Sequence, residues 1–390
     1  MSRKLSTSRG IVLASLLTLG AVALAACTPP LPPDVQAALI DQHIVCEKGD
    51  TKISVPEDLA GVAAAVNTNL GSSCAGQTIT EVGPNEAAPI KLFDQAPTPL
   101  QTEEFQKTCP AKIVVAPVFG YAVVLAFNNP DAQGLVLSNS LIAKILSGQI
   151  TSWGDPALTA ANGGTSLSAD GALTVMSTTA SSGPVAAMGA YLAKTAPADW
   201  KGGSAGTVST GQHFPTQKAL IDAMTAKTGS ASVLTQVVSS AANFTAASMV
   251  VQGSDIAPDD TQLQKVGIGA IEYTTDAKGN VTAGPALGGV PNDKNFSASS
   301  AKIVLQQGQA MVGWPVMGIA HLMVCNNPAD PAAFATAQFL IRQAGQGAFE
   351  AFGFTPLPEP VRYALFTPME LNKGLDSAAA TAKSASPTHS

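Results

Sequence analysis

The clearest periodic stretch of the chain is Leu137 to Leu158, LSNSLIAKILSGQITSWGDPAL. Ser138 stands where a helix N-cap belongs, Leu141, Ile142, Ile145 and Leu146 recur at helical spacing, and Gly148 takes the place of a left-handed C-terminal stop. The segment predicts a helix running into a turn anchored by Trp153. Two runs read as buried strands ended by a turn: Pro117 to Pro130, PVFGYAVVLAFNNP, and Pro315 to Pro328, PVMGIAHLMVCNNP. They share Pro-Val-x-Gly-x-Ala and Asn-Asn-Pro at identical spacing, an echo that two Val-rich strands could also reach by chance. His321 lies inside the second run among apolar neighbours and reads as a core histidine. A helix follows over Asp330 to Gln346, with Ala333, Phe334, Ala337, Phe339, Leu340 and Ile341 at its apolar positions. Further helices are expected from Pro56 to about Leu70 and from Ser182 to about Lys194, each start combining a serine with a nearby proline. The alternation of strand and helix patterns gives an α/β class.

The N-terminus changes the compartment. Arg3, Lys4 and Arg9 precede an apolar run from Ile11 to Ala26, and no acidic residue occurs before Asp34, which is the pattern of a secretory signal. Leu24-Ala25-Ala26-Cys27 looks like a bacterial lipobox, in which Cys27 is lipidated and leads the mature chain; Ala23-Leu24-Ala25 also fits a cleavage site for soluble secretion. Cysteine arithmetic favours the lipobox, because five cysteines less Cys27 leave Cys46, Cys74, Cys109 and Cys325. In an oxidising exterior these make two disulfides, in one of three connectivities. A metal centre is disfavoured, since no C-x-x-C spacing occurs and the four histidines are scattered. Thr28 to Pro33 reads as a stiff extended spacer, and no second long apolar span follows.

Composition excludes some partners. The formal charge of -6 becomes about -9 once the three N-terminal cations are removed, so nucleic acid is not an expected ligand. The chain has 390 residues, enough for two sizeable cores. From Asp376 to Ser390 it is Ala, Ser, Thr and Lys without periodicity, a composition expected to stay disordered. No Gly-x-Ser-x-Gly elbow, His-Glu-x-x-His or P-loop is present, so no enzyme and no cofactor is expected.

The pattern Leu-x-Ala-x-Ile-x-x-Gly-x-Ile-Thr-x-Trp-x-Asp-Pro, here Leu141 to Pro156, resembles the phosphate-binding proteins of bacterial ABC importers. Trp200-Lys-Gly, Gly269-Ala-Ile-Glu-Tyr273 and the ending Gly353-Phe-Thr-Pro-Leu-Pro358 are similar to the same family, so the resemblance runs from about Lys52 to Phe366. It implies a two-lobed periplasmic-binding-protein-like fold of type II, each lobe a mixed sheet flanked by helices, joined by two hinge strands. The expected organisation is a signal peptide over 1–26, an anchor and linker over 27–45, lobe I from 46–124 and 314–371, lobe II from 125–313, and a tail over 372–390. The echoed runs are the expected hinge strands. In such proteins they cross antiparallel, which would bring Cys109 near Cys325; the expected pairs are Cys46 with Cys74 and Cys109 with Cys325.

What the resemblance implies for function is a lipid-anchored extracytoplasmic receptor that presents phosphate, or another small oxyanion or polar solute such as sulfate, to an ABC permease. The alternative is a degenerate binding-protein fold kept as a surface sensory or interaction module. The implied ligand contacts are Ser54 and Val55 before one helix start, Ser182 and Gly183 at another, with Thr178, Gln95 and Asp94 nearby. Departures are specific. Counting back from Ser182, the family's arginine falls on Thr178 and its aspartate on Ala180. The other family aspartate falls on Gln95, and Asp94 substitutes only if the loop slips by one residue. Glu57 and Asp58 follow Pro56, where they would repel an anion. The implied grip therefore comes from uncharged amide and hydroxyl dipoles.

Overall fold

The computed structural model describes residues 33–165, 167, 171–202, 208–251, 253–258, 271–278, 280–283, 286–287, 302–303 and 313–373. The expected signal segment, Cys27, Gly269, Ala270 and the tail beyond 373 lie outside them. The chain divides into two compact units, 1–43 and 44–390. In the first, Pro33–Gln42 is a helix within the segment expected as anchor and linker. Its proline stands at the first position, where a missing N–H costs nothing.

In the second unit, one sheet of ten strands dominates. Its main path runs Gln77–Val82, Gly49–Ser54, Ile90–Phe93, Val316–Asn326, Lys112–Asn128, Ser230–Thr235, Thr174–Thr178 and Gln212–Phe214. The two echoed runs are adjacent and antiparallel, from Met317 opposite Ala122 to Asn326 opposite Lys112, with a register shift between Ala320 and His321. Val316–Asn326 also pairs with Ile90–Phe93 on its other edge. Lys112–Asn128 continues past its partner to pair with Ser230–Thr235. One long strand thereby serves both halves of the sheet. Cys325 lies opposite Ile113, and its disulfide to Cys109 spans 5.5 Å between Cα atoms; Cys46 is bonded to Cys74 at 5.2 Å. His321 is fully buried, its Nδ1 lies 3.1 Å from the Ile319 carbonyl, and burial pulls its pKa down to about 4.

Local signals explain the Trp153 corner. The helix Asn139–Leu146 starts on Ser138, whose Oγ accepts from the Leu141 amide at 3.3 Å, and buries Ile142, Ala143, Ile145 and Leu146. Leu141 is only half-buried. Gly148 takes φ 68°, in the left-handed region that glycine tolerates. Trp153 is 2% exposed, and its Nε1 donates to the Gly229 carbonyl at 3.0 Å, so the indole packs without an orphaned donor. Asp155 then caps the next helix, Pro156–Ala161.

Two expectations change. The single helix over Asp330 to Gln346 is two, Pro331–Ile341 and Gln343–Phe352, broken at an extended Arg342. The Gln346 side chain holds the corner: its Nε2 donates to the carbonyls of Leu340 (2.7 Å) and Val118 (2.8 Å), and its Oε1 accepts from the Leu357 amide (2.7 Å). The orphan carbonyl of a helix end is thus satisfied from the next helix. The other change is at Pro56, which is extended (ψ 149°) and precedes a 3-10 turn, Glu57–Leu59; the α-helix begins at Val62 after a left-handed Gly61 and runs to Ser73. The segment from Leu234 onward supplies part of the central strand Ser230–Thr235 and a hairpin that pairs Met249 with Ile256 and joins Val136–Leu137.

Candidate functional site

Ser54 ends its strand buried, and its Oγ donates to the Gly83 carbonyl at 3.0 Å. The Val55 amide donates to the Val82 carbonyl at 3.0 Å. Both donors are thus spent inside the sheet. Thr178 ends another strand and turns its hydroxyl onto the Ala180 carbonyl at 2.9 Å. Ser182 is the extended N-cap of the helix Gly183–Thr195 and makes no side-chain capping bond.

The structure brings Asp94 and Gly183 together. The Gly183 amide, at the start of a helix of 13 residues, donates to Asp94 Oδ2 at 2.6 Å. It is Asp94, and not Gln95, that the Gly183 amide meets. Tyr121, fully buried on the long strand, donates its hydroxyl to the Asp94 carbonyl. Only glycine fits at 183: a Cβ there would lie 2.1 Å from the Asp94 carbonyl oxygen and 2.3 Å from the Tyr121 hydroxyl.

Two further helix starts hold carboxylates. Glu81 accepts from the amides of Gly61 (3.0 and 3.1 Å) and Ala63 (3.1 Å) at the opening of Val62–Ser73. Glu57 Oε2 accepts from the Lys218 amide at 3.0 Å, in the first turn of Gln217–Ala226. Beside them Asp58 is buried, with Thr235 Oγ1 donating to its backbone carbonyl at 3.1 Å. Burial, reinforced by the charges of Asp94 and Glu57, pushes the Asp58 pKa up to about 8, so it holds its proton at neutral pH. Burial also raises Asp94, and the Gly183 N–H opposes that rise by binding the ionised form. Burial, with the same two aspartates, lifts the Tyr121 phenol well above its ordinary range. Helix dipole and unsatisfied N–H groups favour an anion at each start, and here the chain supplies it.

A cavity of about 790 Å³ opens beside Asp94, walled by Ser54, Pro56, Lys91, Gln101 and Asp330 among others. Val55, Gln95, Thr178, Ser182 and Gly183 stand outside its wall. The expected contacts thus fall into two groups, Ser54 and Asp94 on the cavity and Gly183 behind Asp94. The residues that sequence reasoning did not place in the site are Tyr121, Glu81 and Lys218, and it gave Asp58 and Glu57 only a repelling role. Tyr121 carried one signal, a polar ring in an otherwise apolar strand; the other two carried none.

Residues 96–341 match the PBP superfamily domain, and the chain belongs to that family. Among solved structures it is similar to a high affinity periplasmic phosphate-binding protein bound with phosphate, at 15% identity and a TM-score of 0.53, over 82% of this chain and 93% of that one. A phosphate-binding protein from Stenotrophomonas maltophilia gives 18% and 0.53, over 81% and 92%. A human phosphate binding apolipoprotein gives 15% and 0.51, over 82% and 94%. No curated protein matches the sequence. The fold is the two-lobed α/β fold of phosphate-binding proteins.

Proposed function

We propose that the protein is an extracytoplasmic solute-binding protein, anchored through a lipid on Cys27, that presents a small oxyanion or polar solute to an ABC permease. The observation that carries this reading is the Gly183 amide donating to a carboxylate oxygen at a helix start, within the loop that resembles the family's ligand loop. The solute contacts we assign are Ser182, Gly183 and Gln95, between a lobe of 46–124 with 314–371 and a lobe of 125–313; the Ser54, Val55 and Thr178 donors are spent on carbonyls of the chain. The phosphate in a similar structure makes phosphate the first solute to try. A thermal-shift panel of phosphate, sulfate, phosphonates and small neutral solutes, on the chain lacking residues 1–27, tests it. A solute at a hundred times its Kd adds about 2.7 kcal/mol of stability. A hit that survives both Ser182→Ala and Gln95→Ala would remove the site assignment.

A second reading is favoured by the carboxylates of Asp94, Glu57 and Glu81 on three helix starts. A fold whose anion positions are already neutralised suits a surface sensory or interaction module. A panel in which nothing stabilises the protein would select this reading.

A further inference from the structure

We infer that Asp94 is a tethered competitor of the solute: its carboxylate occupies the oxyanion position at Gly183, and an incoming oxyanion binds only by displacing it. The inference rests on the reading of Ser182 and Gly183 as solute contacts and adds what controls access to them.

Three observations support it. The Oδ2 to Gly183 distance of 2.6 Å is that of a charge-assisted hydrogen bond, the kind a phosphate or sulfate oxygen would make there. The backbone beneath the carboxylate is fixed independently, since the Tyr121 hydroxyl binds the Asp94 carbonyl, so the carboxylate is delivered to the amide at a high effective concentration. Asp94 also lines the 790 Å³ cavity, which leaves room for its side chain to swing aside while the loop stays in place. A fixed backbone, a side chain bonded to one amide and open space beside it together make a plug that can be displaced. Gln95 stands outside the cavity wall.

The test compares the native chain with Asp94→Ala and with the shape-conserving Asp94→Asn, so that a folding failure in one leaves the other. Calorimetric titration with inorganic phosphate and with sulfate gives affinity, and hydrogen exchange at the Gly183 amide gives the contact itself. The expected result is a gain of at least about tenfold in oxyanion affinity in the Ala variant, with a smaller gain in the Asn variant. Exchange at Gly183 speeds up in the Ala variant and slows again when phosphate is added. Unchanged or weaker oxyanion binding in both variants would overturn the proposal, and so would a Gly183 amide indifferent to the substitution. If the native chain takes a neutral solute from the panel while neither variant gains an oxyanion, only the competitor falls. If the variants gain phosphate while the native chain binds no solute at all, the competitor stands and the transport reading falls.

Discussion

Gly318 lies flat against Tyr121: a Cβ added at residue 318 would sit 2.1 Å from Cζ of the tyrosine ring and 2.3 Å from its hydroxyl. The two residues face each other across the antiparallel pair of long strands, Gly318 opposite Tyr121 in register. The missing side chain lets the ring lie across the neighbouring strand and deliver its hydroxyl to the Asp94 carbonyl. The glycine of the second echoed run therefore serves the tyrosine of the first.

Gly318→Ala should accordingly act at a distance. The methyl has no room, because its neighbour is the fully buried Tyr121 ring held at its hydroxyl, and overpacking of this kind costs about 1–3 kcal/mol. Urea unfolding should show that loss, and hydrogen exchange at Gly183 should rise as the ring tilts and the Asp94 loop loosens. A variant as stable as the native chain, with Gly183 exchange unchanged, would mean that the ring does not hold the loop.

The acidic cluster predicts a direction for stability against pH. Asp58 keeps its proton up to about pH 8 in the folded chain and loses it near the ordinary 3.8 when unfolded, so its contribution is complete below about pH 4 and is lost as pH rises to 8. Asp94 is raised too and acts in the same direction. His321 acts oppositely: its folded pKa of about 4 lies below the ordinary 6.5, so its contribution is present above 6.5 and is lost as pH falls toward 4. The window between pH 6.5 and 8 therefore reports Asp58. Urea midpoints should fall across it in the native chain, and Asp58→Asn should flatten that fall; an equal fall in both proteins would place the titration elsewhere.

The two disulfides should differ in weight. Cys109 to Cys325 closes 216 residues and Cys46 to Cys74 closes 28. Constraint of the unfolded chain then gives about 5 kcal/mol for the first and about 3.5 kcal/mol for the second. Replacing each pair by serines and measuring urea unfolding should return that order, and the reverse order would show that local packing around Cys46 outweighs chain constraint.

What was readable in the sequence was local or periodic. Ser138, Gly148 and Asp155 act through bonds to residues a few positions away, so the helix and corner around Trp153 are legible from the sequence. The adjacency of Pro117–Pro130 and Pro315–Pro328 was legible through their echo. The break at Arg342 was not, because what fixes it is Gln346 reaching Val118, a contact 228 residues apart in sequence. The site was least legible for a similar reason. The Asp94 to Gly183 bond joins residues 89 positions apart, and Asp58 is met at its backbone carbonyl by Thr235, 177 positions away.

The central claim is that the chain's own carboxylate fills the oxyanion position. The most direct test is a crystal structure from medium free of phosphate and sulfate. The account predicts Asp94 Oδ2 within hydrogen-bond distance of the Gly183 amide with nothing between them; an ordered water in that place, with Asp94 turned into the cavity, would contradict it.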